Sequence, residues 1–476
     1  MKYLTGIWFA GLFTAAALYY VSHISLLQQP VEHCSKPPTG NLAGWPITTQ
    51  KSIDPGTEAE PLYAFKYSSD SISLCFRQVA EATLKHKALW DKDIYGPIMF
   101  VDPVTREIYT NRPDEGRSLL PHGSIYRGIL PKDVILSNTD VEWGGMHWAM
   151  IMLPLPENRF DRIDLITHEL FHVAQPALGF RTRREENIHL DQKDGRLYLR
   201  LELAALEAAL KSGRINRALE HLRNALIFRK FRHTLYRGSE TSENNLELLE
   251  GLATYTGQMM SGRDKWQWRQ YLINRLSAFK KTPTFVRSFA YETVPVYGFF
   301  LYRKDNNWNR QVDMETNLTE LFIDAFGMDM RILLQSYVKQ VAEDYKVEVI
   351  ADEEMKREIS NSALLDTYRR KFFDQPHLEI RLEKMNMSFN PQNLIPLDED
   401  EGTIYPTVQI SDNWGILTVE RGGALLRTDW RWVIVPEPLE ITEDSIKGDG
   451  WVIELNRNYH IEEEPGGVYL LTKKRQ

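Results

Sequence analysis

Apolar and polar positions divide the chain into three stretches of different period. Between about 61 and 160 the pattern is mixed. Phe76 to Trp90 repeats at helical spacing, Pro97-Ile-Met-Phe-Val101 and Glu107-Ile-Tyr-Thr110 read as short strands, and Met146 to Leu153 reads as a longer apolar strand closed by Pro154. From 161 to 375 the spacing is helical. Asp161 or Asp164 is placed to cap a helix that Pro176 ends or bends, and helical runs follow over Arg196–Lys211, Asn216–Phe231, Leu246–Met260, Trp266–Phe279 and Leu318–Tyr345. After about 376 the runs are short and β-branched or aromatic: Gly415 to Glu420, Trp432 to Val435, Trp451 to Glu454 and Val468 to Leu471. Turn signals at Arg421-Gly-Gly423 and Gly448-Asp-Gly450 separate them. The pattern predicts an α+β fold, with a small mixed sheet over 61–160, a helical part over 161–375 and an all-β, sandwich-like domain over 376–476. No internal repeat is apparent.

Composition narrows the partners. The chain has 43% hydrophobic and 26% charged residues and a net charge of −8, with basic residues only in short clusters such as Arg181-Thr-Arg-Arg184. Nucleic acid is excluded as a natural partner on that charge pattern. Residues 28–60 are polar and rich in proline (Pro30, Pro37, Pro38, Pro46, Pro55), the composition of a linker. Before it, residues 4–27 form a membrane-sized apolar stretch preceded by Lys2, so 1–27 is expected to be an uncleaved signal anchor or a signal peptide. Either places the remainder on the extracytoplasmic side. Cys34 and Cys75 both lie beyond it and are able to pair in an oxidising compartment; neither has zinc-ligand spacing.

The chemistry concentrates at His168-Glu169-Leu170-Phe171-His172, inside the uncharged context Leu165-Ile-Thr167 and Val173-Ala174. On a helix, His168 and His172 project from one face a turn apart, the separation at which two imidazoles hold one Zn²⁺. Glu169 points to a neighbouring direction, where it can take a proton from a water. Two partly buried histidines on an amphipathic helix would be the bland explanation. A catalytic zinc needs a third protein ligand. A metzincin would put Gly and His three and six places after His172, where this chain has Gln175 and Leu178. Downstream, Glu250-Gly251-Leu252-Ala253-Thr254-Tyr255 opens on a carboxylate within a helical run, which alone would be an ordinary helix-surface glutamate; Asp191, Asp194, Glu202 and His189 are other candidates.

With HELFH and Glu250-Gly-Leu-Ala-Thr-Tyr255 together, the chain resembles the gluzincins, the zinc peptidases that include aminopeptidase N-like and thermolysin-like enzymes. The resemblance implies a zincin-like catalytic domain and Zn²⁺ held by His168, His172 and Glu250, with Glu169 as general base. It departs in spacing: positions 173 to 249 separate the second His from the Glu, far more than in the aminopeptidase-like members, and an inserted helical hairpin over about 195–236 accounts for the excess. Gly144-Gly145-Met146-His147-Trp148 resembles the family's strand that aligns the substrate backbone, so Gly145, Met146 and His147 are expected to line substrate. His147 stands where the family's Glu binds a free amine, which favours an endopeptidase. Ala290-Tyr291-Glu-Thr-Val-Pro295-Val-Tyr297-Gly298 resembles the segment carrying a zinc-facing tyrosine, with Tyr297 preferred to Tyr291. Thr254, a turn after Glu250, is expected to orient a ligand. The implied activity is zinc-dependent hydrolysis of peptide or protein substrates. Hydrolysis of another amide or an ester, and a non-catalytic zinc- or peptide-binding module, are the competing classes; the intact Glu169 argues against the latter.

Overall fold

The computed structural model describes residues 67–181, 187–330, 334–397 and 400–474. The first helix, α1 (Ser69–Lys85), packs beside a six-stranded sheet made of β1 (Ile98–Val101), β2 (Glu107–Thr110), β3 (Leu120–His122), β4 (Ile125–Ile129), β5 (Thr139–Trp143) and β6 (Met146–Met152). The strand order is β3-β4-β2-β1-β6-β5, with β1 and β6 parallel and the other neighbours antiparallel. The pleat divides β1 and β6 between two cores. Ile98, Phe100, Ala149 and Ile151 face the helices, while Met99, Val101, Trp148 and Met150 face a smaller cluster on the other side. A two-residue turn joins β5 to β6 through Gly144 and Gly145, at φ +59° and +78°, the left-handed pair a tight hairpin needs. Among the described residues β5 is one edge strand of the sheet and β3 the other, and β6 lies inside it. The expected substrate-aligning segment is therefore a turn residue, Gly145, and the start of an interior strand at Met146 and His147, and the adjacent edge belongs to β5.

The helical part begins with α2 (Arg159–Ala174), which carries the histidine motif. Its cap is Asn158, whose side chain accepts from Phe160 N at 2.8 Å, a contact of the kind worth about 1 kcal/mol. The expected caps, Asp161 and Asp164, lie inside the helix and pair instead with Arg263. Every residue from Ile163 to His172 is buried, because the helix has the sheet on one side and other helices on the other. The helices α3 (Lys193–Lys211) and α4 (Ile215–Leu235) form the hairpin expected between the motif and Glu250. After them come α5 (Ser239–Leu246), a π-turn over Glu247–Gly251, α6 (Leu252–Met260), α7 (Lys265–Phe279) and α8 (Ala290–Lys304). The run expected over Leu318–Tyr345 is two helices, α9 (Leu318–Phe326) and α10 (Gln335–Glu343), because Gly327 at φ +66° ends the first. A long helix, α11 (Val347–Arg369), leads to the C-terminal region.

That region is β-rich, as the sequence implies. Strands β7 (His377–Arg381) to β19 (Val468–Lys473) form a seven-stranded and a six-stranded sheet. The two share one core, with Leu378, Ile380, Val433 and Val435 from the first meeting Ile410, Leu417, Ile446 and Ile453 from the second. Ile434, between Val433 and Val435, turns to the opposite face with Phe372, Leu397, Ile404 and Leu425.

The membrane anchor is corrected. Among the described residues no helix is long and apolar enough to cross a membrane, and the stretch at 1–27, the linker at 28–60 and Cys34 lie outside them. The extracytoplasmic placement that depended on this anchor has no structural support. Cys75 is half-buried on α1.

Candidate metal centre

His168 and His172 extend from α2 one turn apart, with Nε2 atoms 3.1 Å from each other. The π-turn brings Glu250 Oε2 within 3.5 Å of His168 Nε2 and 3.2 Å of His172 Nε2. A tetrahedral ion with bonds of about 2.0–2.1 Å keeps its ligand atoms about 3.3–3.4 Å apart. The three edges match that requirement. Among the described residues Glu250 Oε2 has no hydrogen-bond partner, and the three ligand atoms face one another across these short distances.

Each imidazole is oriented from behind. Gln175 donates through Nε2 to Leu249 O at 2.8 Å, which leaves its Oε1 to accept from His172 Nδ1 at 2.7 Å. Thr254 donates its hydroxyl to Glu250 O at 2.9 Å and therefore faces His168 Nδ1, 3.4 Å away, as an acceptor. Both contacts put the ring protons on Nδ1 and free Nε2 for a ligand bond. Gln175 carried no positive signal in the sequence; only its contact with the π-turn carbonyls gives it a role.

Glu169 is fully buried, and among the described residues neither of its carboxylate oxygens has a hydrogen-bond partner. His168, Glu169 and His172 offer ligand atoms within 4.8 Å of one another, and Glu250 stands closer to both imidazoles than that limit. Burial raises the Glu169 carboxyl well above its ordinary range; His172 opposes this, while Glu250 and Asp140 add to it. Burial likewise lowers His168 to about 4. For His172 burial pulls downward, but Glu250, Glu169 and Asp140 outweigh it and push the pKa up to about 10. Asp140, on the edge strand β5, is the acid that sequence reasoning missed. It lies 3.6 Å from His147 Nε2 and within electrostatic reach of His172 and Glu250. Three carboxylates around two imidazoles, with orphaned oxygens at the centre, form a donor set that fits a divalent cation.

The two candidate tyrosines part company. Tyr291 stacks on the His168 ring at 5.9 Å between centroids, and its phenol lies within electrostatic reach of Glu250 and Glu169. Burial first, then Glu250 and Glu169, raise that phenol well above its usual value, so it stays a donor. Tyr297, six residues on along α8, points elsewhere: its hydroxyl donates to Glu202 at 3.0 Å and its ring packs on Phe322. Of the two, Tyr291 is the one that lies at the cluster, and Tyr297, the one preferred from the sequence, does not. The alternative ligands are also engaged elsewhere. Asp191 pairs with Arg196 and Arg357, Glu202 with Arg229 and Arg232, and His189 with Glu243, while Asp194 is exposed.

Two glycines set the spacing. A Cβ on Gly257 would sit 2.5 Å from Asp164 O, so α6 and α2 touch backbone to backbone there. A Cβ on Gly251 would sit 2.4 Å from Val294 Cγ2, which packs the π-turn on α8. A scan against protein-family models, a search of curated proteins and a search of solved structures each find no match to this chain.

Proposed function

We propose that this chain is a zinc-dependent metallopeptidase of the gluzincin type, with a divergent zincin-like domain formed by the six-stranded sheet and the helices packed on it. The observation that carries the proposal is the triangle of His168 Nε2, His172 Nε2 and Glu250 Oε2, with edges of 3.1, 3.2 and 3.5 Å, beside the carboxylate of Glu169, which has no hydrogen-bond partner among the described residues. His168, His172 and Glu250 would hold the ion. When bound, zinc supplies a Lewis acid that brings the pKa of water toward about 7 and polarises a carbonyl.

The chain's own groups do the rest. Glu169 accepts a proton from the attacking water and passes it to the leaving amine, a task suited to a carboxyl whose pKa burial has raised. Tyr291, held protonated, donates a hydrogen bond to the carbonyl oxygen as negative charge builds on it; such donors are worth about 2.7–4 kcal/mol. The outer edge of β5, which pairs with no strand among the described residues, offers an extended peptide main-chain hydrogen bonds beside the cluster. Endopeptidase action is favoured over aminopeptidase action: His147 stands where a free amine would need fixed negative charge, and the nearby Asp140 is already engaged with it.

Glu169→Gln tests the scheme on the purified chain with a library of peptides carrying free and blocked N-termini. Retained zinc with lost cleavage is the expected result. Undiminished cleavage would refute the role of Glu169, and bound zinc with no cleavage by the unaltered protein would favour a binding module.

A further inference from the structure

Glu250 stands on a π-turn in which Leu252 N–H bonds to Glu247 O, wider than an ordinary helical turn. Turns of this kind occur frequently at functional sites and need support from their surroundings. Here the support comes from a buried ion pair. Arg229, from the second helix of the α3–α4 hairpin, grips Glu247 with both ends of its guanidinium at 2.7 and 2.9 Å. Thr293, two residues beyond Tyr291 on α8, donates to the same carboxylate at 2.5 Å. Arg229 is itself fixed by Glu202 at 2.8 Å and by the Tyr297 ring at 4.9 Å, and Glu202 is held again by Arg232 at 2.9 Å. All of these groups are buried. The turn's carbonyls at Leu248 and Leu249 receive Gln175, the residue that orients His172. Moving the turn therefore disturbs two ligands together.

We infer that Arg229, Glu247 and Thr293 are positioning residues that clamp this π-turn, and that the hairpin filling the long interval between His172 and Glu250 is a working part of the metal centre. The inference rests on the metal reading given above. None of the three residues touches the ligand atoms. Their effect is to hold the Glu250 carboxylate and the Leu249 carbonyl at a fixed distance from α2. A pair this deeply buried is a weak source of net stability, because desolvation offsets most of the attraction. Its value on this account lies in geometry.

The test measures zinc affinity by chelator competition and the melting temperature of the metal-free protein, using the full chain. Thr293→Val removes the donor to Glu247 at nearly constant volume and should weaken zinc binding about tenfold, while Thr293→Ser, which restores a hydroxyl, should stay within about twofold of the parent. The double variant Arg229→Met/Glu247→Leu removes both charges together. Glu202 keeps Arg232 and Tyr297 as partners, so the metal-free protein should melt within a few degrees of the parent while zinc affinity falls about 10–100-fold. Parental zinc affinity in Thr293→Val or in the folded double variant would overturn the inference, as would equal losses in the Thr293 pair. If the double variant does not fold, the Thr293 pair decides alone. A parent that binds no zinc would instead overturn the metal reading, and the inference with it, a result separable from the others before any variant is made.

Discussion

Replacing Gln175 with Ala puts the strongest demand on the proposed geometry. The change removes the acceptor 2.7 Å from His172 Nδ1 and the donor 2.8 Å from Leu249 O, and both partners remain in a buried region. An unmet buried polar group costs about 1–3 kcal/mol. Most of that cost falls on the metal-free and loaded forms alike and cancels from the affinity. What survives is the loss of a ring fixed with Nε2 toward the ion, a contribution of about 10–100-fold in metal affinity, or about 1.4–2.7 kcal/mol. Gln175→Glu makes the complementary case, since it keeps an acceptor for Nδ1–H but gives up the donor to Leu249 O. Its zinc affinity should lie above that of Gln175→Ala, with a lowered melting temperature from the carbonyl left unpaired. Chelator competition at fixed pH measures both. Zinc affinity in Gln175→Ala within about twofold of the parent would show that His172 needs no support from behind, and the argument for its orientation would fall.

Three further outcomes follow from other contacts. Tyr291→Phe should lower kcat about 10²–10³-fold with zinc retained, whereas Tyr297→Phe, which loses a bond to Glu202 far from the reacting atoms, should leave kcat near the parent value; the reverse ranking in a peptide assay would exchange their roles. Gly257→Ala forces a methyl to 2.5 Å from Asp164 O, an overpacking that costs about 1–3 kcal/mol, while Gly213→Ala enters open space; a thermal melt should show a clear fall only for the first. Glu207 accepts from Lys211 at 2.8 Å, Ser277 at 2.7 Å and also Lys280, tying α3 to α7; burial opposes ionisation, yet these partners bring its pKa down to about 2. Since its folded pKa is depressed, the stabilisation is complete above the ordinary value of 4.5 and is lost as pH falls through about 2, so the melting-temperature gap between the parent and Glu207→Gln should close over that window; a gap independent of pH would contradict the assignment.

Where the sequence was legible, strong local signals carried the information. HELFH announced a helix with two imidazoles on one face, and Glu250-Gly-Leu-Ala-Thr-Tyr255 announced the acid. The structure brings Glu250, Thr254 and Tyr291 to those rings. The change to short β-branched runs after 376 marked the β-rich region. Other features had no local signal to read. The π-turn at Glu247–Gly251 interrupts a run whose apolar spacing looks continuous, and the Arg229 that grips it lies on another helix. The two tyrosines are six residues apart on one helix, and which of them meets the cluster depends on how α8 is rotated against α6. The helix α11 showed no clear apolar stripe, since its deepest anchor is Glu354, paired with Arg196 and Arg200. Asp140 was hidden in an ordinary strand, and only the sheet order reveals that this strand is an edge strand. The close approaches are likewise invisible locally: Gly251 admits α8, and Gly257 admits α2.

The most direct test of the central claim is the zinc content of the purified chain, measured by elemental analysis beside a His168→Ala/His172→Ala double variant of matched folding. The account predicts about one zinc per chain in the parent and almost none in the variant. A parent that emerges without zinc and takes up none when it is supplied, or a variant that holds as much as the parent, would contradict it.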